Sequence, residues 1–141
     1  MELSYIVTLL MLGLAHGYVA LCIINISTND DKVYLAISEE NGVIRAARKP
    51  TPFEFDTGGT MKITGKSEYL GFDNSGKLAV LSKPKGKFER KARKGFTLNA
   101  LVFDGTREYQ LCGDYTIGLN STCAGARKAT LSFEDVPLMI G

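Results

Sequence analysis

The stretch Glu68-Tyr69-Leu70-Gly71-Phe72-Asp73-Asn74-Ser75-Gly76-Lys77-Leu78 reads as a strand, a tight turn and a second strand. Asn74-Ser75-Gly76 supplies turn formers, with a glycine for a positive φ between two apolar runs. The same order occurs upstream, where Val33-Tyr34-Leu35-Ala36-Ile37 leads through Glu39-Glu40-Asn41-Gly42 to Val43-Ile44. A third copy, Glu108-Tyr109-Gln110-Leu111-Cys112, repeats the tyrosine followed closely by an apolar residue. The three tyrosines lie 35 and then 40 positions apart. A second series interleaves with the first: Phe53-Glu54-Phe55, Phe96-Thr97-Leu98 and Leu131-Ser132-Phe133, spaced 43 and 35.

Elsewhere short apolar alternations are punctuated by glycine and Asn/Asp clusters, as in Phe53-Glu54-Phe55 and Met61-Lys62-Ile63 around Asp56-Thr57-Gly58-Gly59. This spacing predicts an all-β chain. Three units of about 40 residues with four short strands each predict a β-trefoil-like single domain, because one unit alone cannot bury its apolar face. A sandwich or another small barrel is the competing architecture. The chain has no Trp, which sets it apart from the usual trefoil repeats.

The amino terminus reads as an export signal. The apolar run Ile6 to Leu14 is far shorter than the roughly 20 residues that span a bilayer, and Ala15-His16-Gly17 has the form of a signal-peptidase site. Residues 1–17 are therefore expected to be a signal peptide, and residues 18–141 a secreted all-β domain. Glu2 departs from the usual basic start. A second apolar stretch, Tyr18 to Ile26, offers two other readings, an uncleaved anchor or a buried first strand. Asn25-Ile26-Ser27 and Asn120-Ser121-Thr122 fit the N-glycosylation pattern, making Asn25 and Asn120 candidate acceptors in a secretory lumen.

Composition narrows the chemistry. The formal charge of +2 becomes +3 once Glu2 leaves with the leader. Cleavage also removes His16, the sole histidine, and so excludes Ser-His-Asp and Cys-His catalysis from the mature chain. Asp56, Asp73, Asp104 and Asp114 fall at expected turns, where Asp is favoured for backbone reasons. They are the only basis for a hydrolase reading. No metal-ligand spacing, cofactor motif or phosphate-binding glycine motif occurs. Of three cysteines, Cys112 and Cys123 are 11 positions apart and suited to a small disulfide loop, although three single pairings exist. Cys22 then becomes the odd thiol, the fifth residue after the cut, where it could tether another protein.

Lys83, Lys85, Lys87, Arg90, Lys91, Arg93 and Lys94 lie within twelve residues that contain one acid, Glu89. Such a cluster would attract acidic glycan, phosphomannan, anionic lipid or nucleic acid through a salt-sensitive field. A solvated β edge kept soluble by lysine is the structural alternative. With one aromatic inside it, Phe88, the cluster lacks the stacking platform of a single-strand nucleic-acid binder, so no specific nucleic-acid partner is expected. Pro84 and Gly86 predict a loop, and Gly95 precedes an expected strand at Phe96. Tyr69, Tyr109 and Tyr115 read as half-buried strand residues rather than the walls of a sugar groove.

Asn41-Gly42-Val43-Ile44, Phe53-Glu54-Phe55-Asp56, Tyr109-Gln110-Leu111-Cys112 and Ile117-Gly118 before Cys123 occur in the same order as similar motifs elsewhere. The chain thus resembles, over about residues 34–133, the C-terminal domain of fungal Pir-type cell-wall mannoproteins. Cys112 and Cys123 look like the last two cysteines of that domain. Leu111 is an insertion, the segment before Phe53 is shorter, and the four-cysteine arrangement is not reproduced. Gln110 is the sole glutamine, so the glutamine-bearing repeats that attach such proteins to β-glucan are absent. The resemblance implies a secreted or wall-associated module without that covalent linkage.

Three functional classes follow. The first is a non-catalytic extracellular or cell-wall module binding wall polysaccharide or acidic glycan. The second is a secreted inhibitor, effector or toxin acting through the basic loop. The third is a small hydrolase using turn carboxylates.

Overall fold

A computed structural model describes residues 19–29 and 34–136; the expected signal peptide, residues 1–17, lies outside them. The described residues form twelve strands and no helix. They are β1 (Val19–Thr28), β2 (Leu35–Glu40), β3 (Val43–Ala47), β4 (Phe53–Asp56), β5 (Met61–Ile63) and β6 (Tyr69–Phe72). The second half adds β7 (Leu78–Leu81), β8 (Phe88–Lys91), β9 (Asn99–Phe103), β10 (Tyr109–Leu111), β11 (Ile117–Gly118) and β12 (Arg127–Asp135). The all-β expectation holds.

Period-two alternation explains which face each strand buries. In β4, Phe53 and Phe55 are buried while Glu54 and Asp56 turn outward. Cys22, Ile24 and Ile26 of β1 do the same, with Ile24 and Ile26 opposite Phe133 and Leu131 of β12. β1 is the centre of the sheet. It pairs antiparallel with β12 from Cys22↔Asp135 to Thr28↔Ala129. Its other edge meets β4 through residues 19–22 and β2 through Asn25 and Ile26. The second apolar stretch of the sequence, from Val19 on, is therefore spent on a core strand.

Every ladder is antiparallel. β4 continues to β5, β6 and β7, while β12 also pairs with β9 and β10, β9 with β8, and β10 with β11. No ladder joins β5 to β8, so the sheet is open there. One backbone hydrogen bond crosses the opening, from Phe88 N–H to Gly59 O at 2.8 Å.

Three hairpins, β2–β3, β6–β7 and β10–β11, begin at or one residue after the three repeated tyrosines. The first closes on Asn41-Gly42, with φ of 53° and 80°. Both central residues are then left-handed, as the twist of a two-residue hairpin demands. The hairpins touch one another. Ala46 N–H donates to Tyr115 O and Leu119 N–H to Gly76 O, each at 2.8 Å, and Lys77 bridges Gly118.

The second series needs one correction. Phe96-Thr97-Leu98 is loop, and Phe96 is 63 % exposed. Its expected place in the core belongs to Phe88, which pairs with Phe103. Gly95, at φ 83°, turns the chain away before β9, and β8 contributes only one inward apolar side chain among charged ones.

An aromatic cluster fills the interior. Phe72 lies 4.8 Å from Phe103 and is stacked with Tyr109 at 6.0 Å, Phe88 also meets Phe103 at 4.8 Å, and Phe55 meets Phe133 edge-on at 5.2 Å. Cys112 and Cys123 are joined in a disulfide, closing an 11-residue loop that carries β11. The Cys112→Ser/Cys123→Ser double variant should lose about 3 kcal/mol of unfolding free energy on the loop-entropy model. Urea unfolding of oxidised protein beside the double variant checks this; equal midpoints and slopes would refute it.

Candidate functional site

The basic segment spans three local structures. Lys83, Lys85 and Lys87 occupy the loop between β7 and β8, Arg90 and Lys91 end β8, and Arg93 and Lys94 begin the loop to β9. Pro84 and Gly86 make the first part a loop, as the sequence suggests. Gly86 has φ 75°, and a Cβ there would run into the Phe103 ring and the Asp104 carboxylate, so the chain can cross that ring only with glycine. Asp104 fixes the same crossing by accepting the Lys87 N–H at 2.8 Å.

Six of the seven cations are exposed and Arg93 is half-buried. Four of them are engaged within the fold. Arg90 forms a two-pronged ion pair with Asp135, at 3.2 and 3.0 Å, and lies 4.6 Å over the Phe133 ring. Arg93 covers the Phe96 ring at 3.9 Å and reaches Ser132 Oγ at 3.4 Å. Lys91 pairs with Glu89 at 3.3 Å, and Lys85 donates to Asn74 Oδ1 at 2.8 Å. These contacts are solvent-facing, so each contributes little to stability, and their chief effect is to hold the cations in place. The ammonium groups of Lys83, Lys87 and Lys94 have no partner among the described residues.

Lys87 and Arg90 are brought together on one cleft of about 350 Å³, walled by Phe55 and Phe88 and rimmed by Thr57 and Glu89. Asp135 is the member of this surface that sequence reading missed. It stands 45 residues from Arg90, and only the β1–β12 and β9–β12 pairings carry it there.

The other candidates separate by environment. Asp56 Oδ1 accepts from Gly58 N–H at 2.8 Å, and Asp114 Oδ1 from the Thr116 amide and hydroxyl at 3.1 and 2.6 Å. Asp73 Oδ1 takes the Ser75 hydroxyl and the amides of Ser75 and Lys77. Those bonds favour the charged form and hold the Asp73 and Asp114 carboxyls below the usual carboxylate range, the hydroxyl bonds contributing most. All four turn aspartates thus spend oxygens on turn or loop donors. No group of three or more metal-ligating side chains occurs among the described residues.

Asn25 lies in the middle of β1, half-buried, with Nδ2 donating to Glu134 at 3.0 Å. Asn120 sits in an exposed turn at φ 51°, within the disulfide loop. Tyr109 is fully buried and Tyr69 partly so, but Tyr115 is 51 % exposed. The expected role of Cys22 as a tether to another protein meets a physical obstacle. Its thiol is fully buried between β12 and β4, 3.7 Å from Met61 Sδ, and a partner reaches it only if β1 opens. Compared with protein-family models, with curated proteins and with solved structures, the chain matches none.

Proposed function

We propose that the chain is a secreted, non-catalytic extracellular module of a cell wall that binds anionic wall polysaccharide, of the phosphomannan type, through the Lys83–Lys94 segment. The observation that carries this reading is the run of exposed cations on one continuous piece of chain. Three of its lysines, Lys83, Lys87 and Lys94, have no partner within the described fold, and one of them, Lys87, meets Arg90 at one cleft. Neutralising several phosphates at such a surface gives binding that weakens steeply with salt. The order of motifs shared with the Pir-type wall domain points to the same setting, and an internal disulfide suits an oxidising compartment.

The same reading takes the twelve strands as three units, β1–β4, β5–β8 and β9–β12, arranged as a β-trefoil. What supports it is the placing of one hairpin in each unit and the mutual contacts of those hairpins. First and last strands pair within the first and third units, and the Phe88–Gly59 hydrogen bond stands at the matching place in the second.

Lys83, Lys87 and Lys94 supply the test, since their ammonium groups hold nothing in the described fold. Their triple replacement by Gln should leave the urea midpoint unchanged and reduce retention on phosphorylated mannan about tenfold or more. Raising NaCl to about 0.5 M should release the native protein. Retention indifferent to both changes would overturn the reading.

A further inference from the structure

Of Tyr69, Tyr109 and Tyr115, Tyr115 is the most exposed, and it borders a groove that contains none of the seven clustered cations. Ser38 pairs with Arg45 and Glu40 with Val43 across the β2–β3 hairpin, so these four side chains share its outer face, while Ile37, Ile44 and Ala46 are buried. With Tyr115 they line a groove of about 400 Å³. That volume lies within the range of small-ligand pockets. Val43 and Tyr115, 43 % and 51 % exposed, are two of the five large hydrophobic residues left exposed among the described residues, and both border this groove.

The backbone that carries the ring is held in position. Tyr115 has φ 67°, a conformation that bulky residues avoid. Its N–H donates to Cys112 O at 3.0 Å, its carbonyl accepts the Ala46 N–H at 2.8 Å, and Cys112 is itself fixed by the disulfide. Around it, the side chains of Ser38, Glu40 and Arg45 have no hydrogen-bond or ionic partner among the described residues. Glu40 offers acceptors and Arg45 donors, and their charges cancel.

We propose that this groove is a subsite for a neutral hexose unit of a polysaccharide, separate from the basic segment. The Tyr115 face takes the C–H face of the pyranose, and Arg45 and Glu40 bond its hydroxyls from opposite senses. An aromatic platform with paired donor and acceptor suits an uncharged, polyhydroxylated ring. With the Glu40 and Arg45 charges cancelling, the groove lacks the net positive charge by which the lysines attract acidic ligands. The subsite does not depend on the basic segment acting as a site.

Calorimetric titration with glucan, mannan and chitin hexasaccharides, in about 0.5 M NaCl to silence the basic segment, tests this. At least one should bind. Tyr115→Asn removes the ring but keeps a residue tolerant of the left-handed backbone, so it should fold as well as the native chain and bind about tenfold or more weakly. Arg45→Gln should weaken binding about tenfold, and the Lys83/Lys87/Lys94 triple variant should bind as the native chain does. Failure of all three sugars to bind, or native affinity in Tyr115→Asn, would overturn the proposal.

Discussion

Tyr109→Ala lowers the unfolding free energy by about 4 kcal/mol, which should leave the variant largely unfolded at moderate temperature. The side chain is fully buried at the start of β10, stacked on Phe72 at 6.0 Å, within the cluster that Phe72 and Phe103 continue. Truncation removes that ring and leaves a cavity that the disulfide-tied strand pair β10–β11 cannot easily fill. It also removes the phenol that donates to Leu101 O at 2.8 Å. Tyr109→Phe isolates this second effect. It keeps the ring and strands a carbonyl acceptor, for a loss of about 1–3 kcal/mol. Chemical denaturation of the three proteins separates the contributions. Equal losses for the two variants would mean that the hydroxyl, and not packing, dominates; no loss in Tyr109→Phe would mean that water replaces the bond.

Tyr109 also shows how far the fold was legible. Its recurrence with Tyr34 and Tyr69 marks the start of three hairpins, because turn chemistry and strand alternation are local properties that a sequence displays directly. The depth of the three residues was not legible. Tyr34 is 94 % exposed, whereas Tyr109 is fully enclosed, and that difference arises from which strands cover each hairpin. Phe96-Thr97-Leu98 failed as a strand for a related reason. Apolar alternation over three residues fits loop or strand equally, and only the pairing of Phe88 with Phe103 decides between them.

The candidate site was legible in outline and not in its connections. The run of cations is a property of the chain, but the anchoring of Arg90 by Asp135 depends on strand order. Tyr115 carried a weak local signal, Asp114-Tyr115 within a turn, that gave no reason to place its ring beside β2 and β3. The turn aspartates were the most legible residues of all, since each acts on backbone a few positions away or, for Asp104, at the loop it crosses.

Cys22 carries the second large expectation, an alkaline loss of stability that begins near pH 9. Sequence position suggested an accessible thiol near a chain end; burial in β1 makes it instead a group that resists ionising. Desolvation, aided by the nearby Asp135 carboxylate and opposed by Arg90, pushes the thiol from its ordinary 9.0 up to about 12. Tyr109 is pushed up from 10.0 in the same direction, again by burial first. In both cases the unfolded chain releases its proton at a lower pH than the folded one. Above those ordinary values the folded state binds more protons, so stability is full below pH 9 and falls as pH rises towards the folded values. The slope should be about 1.4 kcal/mol per pH unit for Cys22 alone, and about twice that once Tyr109 joins above pH 10. Cys22→Ala should be less stable at neutral pH yet nearly flat between pH 9 and 10, where the native chain already declines. The same burial predicts that a thiol reagent finds no free cysteine in the native protein and finds Cys22 on unfolding. A native chain that keeps its full stability to pH 11, or a Cys22→Ala slope equal to the native one below pH 10, would show that β1 opens readily enough to hydrate the thiol, and the tethering role of Cys22 would then regain its physical basis.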